Sequence, residues 1–467
     1  MKKIYKIFTL AITGMVTIST FFANTITTNA TQYWPTDASV NGDYAIVMEE
    51  ETGTILYALN ADEVNYPASI TKVMTAMLTL ENCDNLDDIV TFSHDAVYVL
   101  EKGSSSISRD EGEKMTVEQT LYGLMLESAN ECAWALGEYI AGDVDTFVDM
   151  MNQRAKELGC TNTHFCNPSG LPDKEHYTTC HDMALIAQAA YRIPKFQEIV
   201  GTKTYSIPPT NKHPNDITYL NNHHNMLHFY RTNKYLYEYC LGGKTGYTDD
   251  AKSTLVTYAK KDGMTLVCVV MHADKNEWIY LDTIALFDYC FDNFAVTKIA
   301  DEVSISDTDL NVTGTLSDNI DLIKIDENAT VVLPKTASLS DATSKVVGYS
   351  DPNNPSVVGR IIYSYAGKDV GYADLIFDKA NRGEIYPFDN LPVSEGGKGI
   401  EYITIDTKRI LIGSVILIAV VVLIIFINSK LKDIFKLRHR AKANKRRVRT
   451  NFTKIRQNYS RKRRRRR

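Results

Sequence analysis

Apolar residues return at three- and four-residue steps from Ile70 through Val73, Met74, Met77 and Leu78, with no glycine or proline between Pro67 and Glu81. That period predicts a helix over 67–81 whose first turn contains Ser69, so that Ser69 and Lys72 share one face. Upstream, 44–48 and 55–57 flank Glu51-Thr52-Gly53-Thr54 as strand, turn and strand. Downstream, 116–139 reads as helix, with Leu121, Leu124, Met125, Ala129, Cys132, Ala133 and Leu136 on one broad face. Two further helices are expected at 145–158, ending at Gly159, and at 182–191, with a turn-rich connection over 165–179 between them. Then 241–248, 253–259 and 264–271 read as strands, the last two joined by Lys261-Asp262-Gly263, and 282–291 as a closing helix. Beyond Ala295 the texture changes to short β-like runs at 303–305, 322–325, 330–333, 359–365 and 370–377, which predict a small all-β domain.

The two ends of the chain carry different patterns. Residues 1–30 combine Lys2, Lys3 and Lys6 with a mostly apolar run over 7–22 and small residues ending near Ala30, which is the pattern of an export signal. Residues 410–427 are apolar apart from the small Gly413 and Ser414, and at ~1.5 Å per residue they span roughly 27 Å as a helix, close to the hydrocarbon thickness of a bilayer. A tail with 19 Lys or Arg against one acid, Asp433, follows. The expected order is therefore signal 1–30, catalytic domain 31–294, β-rich domain 295–400, transmembrane helix 408–428 and cytoplasmic polybasic tail 429–467. By the positive-inside tendency, everything between signal and anchor lies outside a bacterial membrane.

Composition adds one qualification. The 467 residues are 44% hydrophobic, enough for real cores, and their net charge of −6 conceals two opposite halves. Residues 1–429 hold 32 bases against 56 acids, a net −24, which argues against nucleic acid as a partner of the main body. Beside a membrane helix the basic tail would meet anionic lipid, besides setting topology. The eight cysteines form no C-x-x-C pair, and in a chain with this much core they are read as free, mostly buried thiols.

Three short patterns carry candidate chemistry. Ser69 and Lys72 pair a hydroxyl with an amine that becomes a base once burial or a like charge lowers its pKa; a helix N-terminus disfavours protonated Lys72 and offers amides to a developing oxyanion. Ser128-Ala129-Asn130 interrupts an apolar face, and both polar side chains can meet one pocket only if the helix loops or breaks there. Lys244-Thr245-Gly246, with Gly242 and Gly243 before it, suits a strand whose backbone a ligand approaches closely. Each is weak alone, as Ser429-Lys430-Leu431-Lys432 and Ser317-Asp318-Asn319 demonstrate. His164, His176 and His181 match no zinc spacing and are read as packing or capping residues; neither metal nor cofactor is expected.

The ordered trio, in an exported chain, resembles the serine D-Ala-D-Ala carboxypeptidases, the low-molecular-mass penicillin-binding proteins. The resemblance runs over 44–294 and includes Pro67-Ala68-Ser69, Leu126-Glu127-Ser128-Ala129-Asn130, Met151-Asn152-Gln153-Arg154-Ala155, Asn167-Pro168-Ser169-Gly170-Leu171, His176-Tyr177-Thr178-Thr179 and Gly243-Lys244-Thr245-Gly246-Tyr247-Thr248. It implies an α/β (α+β) β-lactamase/transpeptidase-like domain, an antiparallel sheet flanked by helices, followed by a β-rich domain and a membrane anchor. It implies that Ser69 attacks the penultimate D-alanine carbonyl while Lys72 takes its proton. Ser128 then passes the proton to the leaving D-alanine and Asn130 holds the peptide. Lys244 and Thr245, with Gly246, bind the terminal carboxylate, and the backbone amides of Ser69 and Tyr247 form the oxyanion hole. The implied partners are peptidoglycan stem peptides ending in D-Ala-D-Ala, and β-lactams as inhibitors.

Two departures accompany the match: Trp278-Ile279-Tyr280 stands where relatives often carry an arginine, and Tyr247 where histidine is common. A transpeptidase or endopeptidase shares every motif. A β-lactamase of this fold is the nearest other enzyme, although no Glu-x-x-Leu-Asn stretch lies between the second and third motifs. The reading from another class is a catalytically silent penicillin sensor or membrane scaffold.

Overall fold

Strand runs 253–259 and 264–271 lack the apolar-polar alternation of a sheet with one wet face, and the computed structural model accounts for it: both are central strands covered on two sides. The structure describes residues 33–98, 103–301, 323–349, 351 and 354–377. The expected signal, the run at 303–305, the hydrophobic span and the basic tail lie outside the described residues. Among the described residues no helix is long and apolar enough to cross a membrane.

The central sheet contains β1 (Tyr44–Glu49), β2 (Ile55–Leu59), β3 (Cys240–Thr248), β4 (Lys252–Lys261) and β5 (Met264–Ala273). All pairings are antiparallel, in the order β2-β1-β5-β4-β3, which leaves β3 at an edge. The pleat sorts its side chains into two cores. Ile46, Met48, Val256, Tyr258, Val267, Val269 and Met271 join the helical layer. Ala45, Val47, Leu255, Ala259, Leu266, Cys268 and Val270 join the opposite layer.

The first layer is built from α1 (Lys72–Asn82), α2 (Val117–Leu126), α3 (Asn130–Ala141), α4 (Val144–Glu157), α5 (Cys180–Tyr191) and α6 (Pro194–Gly201). The helix expected over 67–81 begins as a 3-10 turn, Ala68–Thr71, and becomes α-helical at Lys72. The segment 116–139 breaks where its polar pair required: α2 ends at Leu126, Ser128 takes a left-handed φ of 61°, and α3 starts at Asn130. Helix starts follow their caps. Thr116 and Gln119 form a capping box, Asp143 accepts from Thr146 N, and Thr179 accepts from Asp182 N, which starts α5 two residues before the expected 182.

On the other face, the closing helix is longer than its apolar period suggested. It is α7 (Asn276–Asn293), and β6 (Phe294–Lys298) follows it directly. A second antiparallel sheet adds β7 (Ile323–Ile325), β8 (Thr330–Pro334), β9 (Thr343–Val347), β10 (Val357–Tyr365) and β11 (Lys368–Phe377), in the order β6-β8-β11-β10-β9 with β7 on β11. One apolar cluster continues from the central sheet through Phe287, Phe291 and Phe294 to Val331, Ile361 and Leu375. The sequence reading lacked β6 and β9: β6 has no turn before it, and the half-exposed Thr-Ser-Lys-Val-Val of β9 has no alternation. All eight cysteines are free thiols, six of them buried.

Candidate active site

Ser69 sits in the 3-10 turn behind Ala68, whose φ of 52° is left-handed, a strained geometry for a residue with a Cβ. One turn on, Lys72 is wholly buried at the head of α1. Its Nζ lies 3.0 Å from Ser69 Oγ, 2.7 Å from Asn130 Oδ1 and 2.5 Å from the Ser169 carbonyl oxygen. The Asn130 contact follows from the α2–α3 break, which places Asn130 on the first turn of α3, with its backbone N–H donating to Ser105 O at 2.9 Å. Ser128, at the break, is 5% exposed, and its Oγ has no hydrogen-bond partner among the described residues.

The Lys244-Thr245-Gly246 segment lies on edge strand β3, so one row of its backbone polar groups has no strand beside it. The approach to the Ser69 turn is close enough to require glycine at 246: a Cβ there would stand 2.9 Å from Ser69 N and 2.4 Å from Thr254 Oγ1. Gly170 is required for the same reason, since its φ is +81° and a Cβ would fall 1.8 Å from Ala68 O. Ser69, Ser128, Asn130, Ser169, Thr245, Gly246 and Tyr247 line one cleft of about 650 Å³. Lys72 and Lys244 stand behind its wall. The Tyr247 side chain is exposed and donates to Asp249 Oδ1 at 3.1 Å.

Burial and the nearby Lys244 charge hold the Lys72 ammonium well below its usual pKa, against the pull of Glu131. Burial also lowers Lys244, to about 7, with Glu127 opposing. Lys244 Nζ donates to its neighbour's carbonyl, Thr245 O, at 2.8 Å.

Several participants had no role in the sequence reading. The Ser169 carbonyl reaches Lys72 because Asn167 Oδ1 accepts from Ser169 N, Gly170 N and Leu171 N and so holds the turn. The Asn167-Pro168-Ser169-Gly170-Leu171 match was the available signal. Glu127 accepts from Asn221 N at 2.7 Å and pairs with His223 Nε2 at 2.8 Å. His223, Asn225, Tyr230 and Arg231 come from one segment over the cleft and carry no pattern that sequence reasoning could use. His176 packs as expected, its Nε2 2.9 Å from Thr71 Oγ1 and its pKa pushed down to about 4 by burial. Among the described residues, one group with metal-ligand chemistry occurs, Asp110, Glu113 and His213. None of the three lines the cleft, and both Glu113 oxygens already accept hydrogen bonds, from Arg109, Thr210 and Asp110 N.

Residues 28–275 match the family model for D-alanyl-D-alanine carboxypeptidase. The D-alanyl-D-alanine carboxypeptidase DacF of Bacillus subtilis is 34% identical over 255 residues, 54% of this chain; the chain spans 62% of that protein. The crystal structure of the Streptomyces K15 DD-transpeptidase superposes with a TM-score of 0.51 at 31% identity, covering 55% of this chain and all of that one. Penicillin binding protein 5 from Haemophilus influenzae, at 25% identity, reaches 0.57 over 74% of this chain and 98% of its own. The two solved structures share the fold of an antiparallel sheet flanked by helices. With more than half of its length matched, the chain belongs to the D-alanyl-D-alanine carboxypeptidase family of serine peptidases.

Proposed function

We propose that the protein removes the terminal D-alanine from peptidoglycan stem peptides through an acyl-enzyme on Ser69, and that β-lactams acylate the same hydroxyl. The observation that carries this reading is the fully buried Lys72 with Nζ 3.0 Å from Ser69 Oγ. A neutral lysine has two N–H groups and one lone pair. If Asn130 Oδ1 and the Ser169 carbonyl accept the two N–H groups, the lone pair is left for the proton of Ser69. Burial favours that neutral form, so the base is ready before substrate arrives.

The remaining roles follow from position. Attack by Ser69 Oγ on the penultimate carbonyl places the new oxyanion between the backbone amides of Ser69 and Tyr247, on the two segments that Gly246 allows to approach. Ser128 Oγ, unpartnered beside the cleft, carries the proton to the departing amine, and Asn130 orients the peptide. Lys244, Thr245 and Gly246 lie along the edge strand where an extended peptide can add as a further strand, ending with its carboxylate near Lys244 and Thr245. Water then releases the acyl group. Positioned proton transfer of this kind is worth about 10² to 10⁴ in rate and one oxyanion donor about 10² to 10³.

The same reading makes 1–30 an export signal, 31–294 the catalytic domain, 295–400 a β-rich domain, 408–428 a single membrane anchor and 429–467 a cytoplasmic tail facing anionic lipid. Its supports are the apolar run over 410–427 and the 19 basic residues after it. A transpeptidase, which differs only in the acceptor, is the second reading, favoured by the likeness to the Streptomyces K15 enzyme.

The deciding experiment incubates the full-length protein, and its Ser69→Ala variant, with a peptide ending in D-Ala-D-Ala and, separately, with labelled penicillin. D-alanine release and labelling that both vanish in the variant are expected. Labelling without release in the absence of an amine acceptor, restored by one, would favour the transpeptidase.

A further inference from the structure

A peptide carboxylate is charged at neutral pH, and Lys244 alone is a poor counter-charge for it. Lys244 is 2% exposed, one N–H of its Nζ goes to Thr245 O, and its pKa is drawn down to about 7, so close to neutrality it is only partly cationic. An arginine does not titrate in this range and presents a planar fork that fits a carboxylate.

Among the described residues lining the cleft, Arg231 is the one Lys or Arg. No carboxylate of a described residue stands in ion-pair distance of it. Its guanidinium lies 5.1 Å from the Tyr230 ring, Tyr230 stacks on His223 with centroids 4.3 Å apart, and His223 is held by Glu127 at 2.8 Å. Arg231 is thus propped at the end of a Tyr-His-Glu column rooted next to Ser128. The acids that share the cleft are Asp249 and Asp250, which follow the edge strand and repel a carboxylate from their end.

We propose that Arg231 is the specificity residue for the substrate's free carboxy terminus, engaging it together with Thr245 of the edge strand. The proposal rests on the carboxypeptidase reading above. It makes the exopeptidase preference a property of the 222–231 segment as much as of the strand that carries Lys244.

The test compares the full-length wild type with Arg231→Gln and Arg231→Lys on one N-acylated D-Ala-D-Ala peptide, supplied as the free acid and as the C-terminal amide. A hydrogen bond to a charged group is worth ~1.5–3 kcal/mol, or about 10- to 150-fold. Arg231→Gln should therefore lower kcat/KM on the free acid by roughly 30-fold, mostly through KM, while leaving the amide within about 2-fold. Arg231→Lys should recover part of the loss on the acid alone. Equal losses on acid and amide would mean that Arg231 only supports the loop, and no loss on the acid would leave recognition to Lys244; either result overturns the inference while the carboxypeptidase reading stands. A wild type that released no D-alanine and took no penicillin label would instead refute the underlying reading, and this inference with it.

Discussion

Gly246→Ala tests whether the edge strand and the Ser69 turn form one catalytic unit. The added Cβ would lie 2.4 Å from Thr254 Oγ1, 2.9 Å from Ser69 N and 3.1 Å from Ile70 N, all inside van der Waals distance. Thr254 is fully buried and donates from Oγ1 to Pro67 O at 2.9 Å, so rotating it away leaves a buried hydroxyl and a carbonyl unsatisfied, at a cost of ~1–3 kcal/mol. The two backbone nitrogens cannot rotate. Relieving them requires the strand to separate from the turn, an overpacking cost of another ~1–3 kcal/mol. Stability should therefore fall by about 2–6 kcal/mol. The separation also moves the Ser69 and Tyr247 amides apart, and loss of one well-placed oxyanion donor costs about 10² to 10³ in rate. The assay is the second-order rate of penicillin acylation, with the urea midpoint measured on the same samples and Gly348→Ala, where a Cβ meets nothing within 4 Å, as the control. Acylation by Gly246→Ala within about 3-fold of wild type would refute the reasoning.

Three other outcomes are expected. Lys72→Arg puts a permanent cation where the proposed mechanism needs a neutral amine, so acylation should drop by about 10² or more, read with labelled penicillin, while the fold survives by circular dichroism. Arg109→Ala leaves Glu113, fully buried and paired to Arg109 at 2.8 Å, without its counter-charge, which should remove about 3–5 kcal/mol and be visible as a large fall in Tm. His176 and His224 are both held near pKa 4 by burial, below the usual 6.5, so at these two sites the unfolded chain binds more protons between those values and their contribution to stability rises with pH across about 4 to 6.5. Each contributes up to about 3 kcal/mol to that rise, at ~1.4 kcal/mol per pKa unit. Urea midpoints taken from pH 4 to 7 should show the slope, and His176→Gln should remove about half of it, leaving the His224 share.

The periodicity of residues 70–78 was sufficient to place Ser69 and Lys72 on one helical face, and the Ser128-Ala129-Asn130 interruption to require the break that the structure contains. Strands at 44–48, 253–259 and 264–271 were legible because buried runs bounded by turn residues leave few other conformations, and 241–248 because its glycines mark close approach. These are local properties, set within a few residues by backbone sterics and side-chain spacing. What the site does with them is not local. Lys72 is held well below its usual pKa only because the core buries it, and Asn130 and the Ser169 carbonyl, 58 and 97 residues away in sequence, converge on its Nζ. Lys244 loses its proton near neutrality only because the fold wraps it, and Arg231 belongs to the cleft only because a segment without periodic signal crosses it. Sequence spacing determines which side chains share a face; desolvation and long-range contact, which exist only once the chain has closed on itself, decide their protonation and their partners.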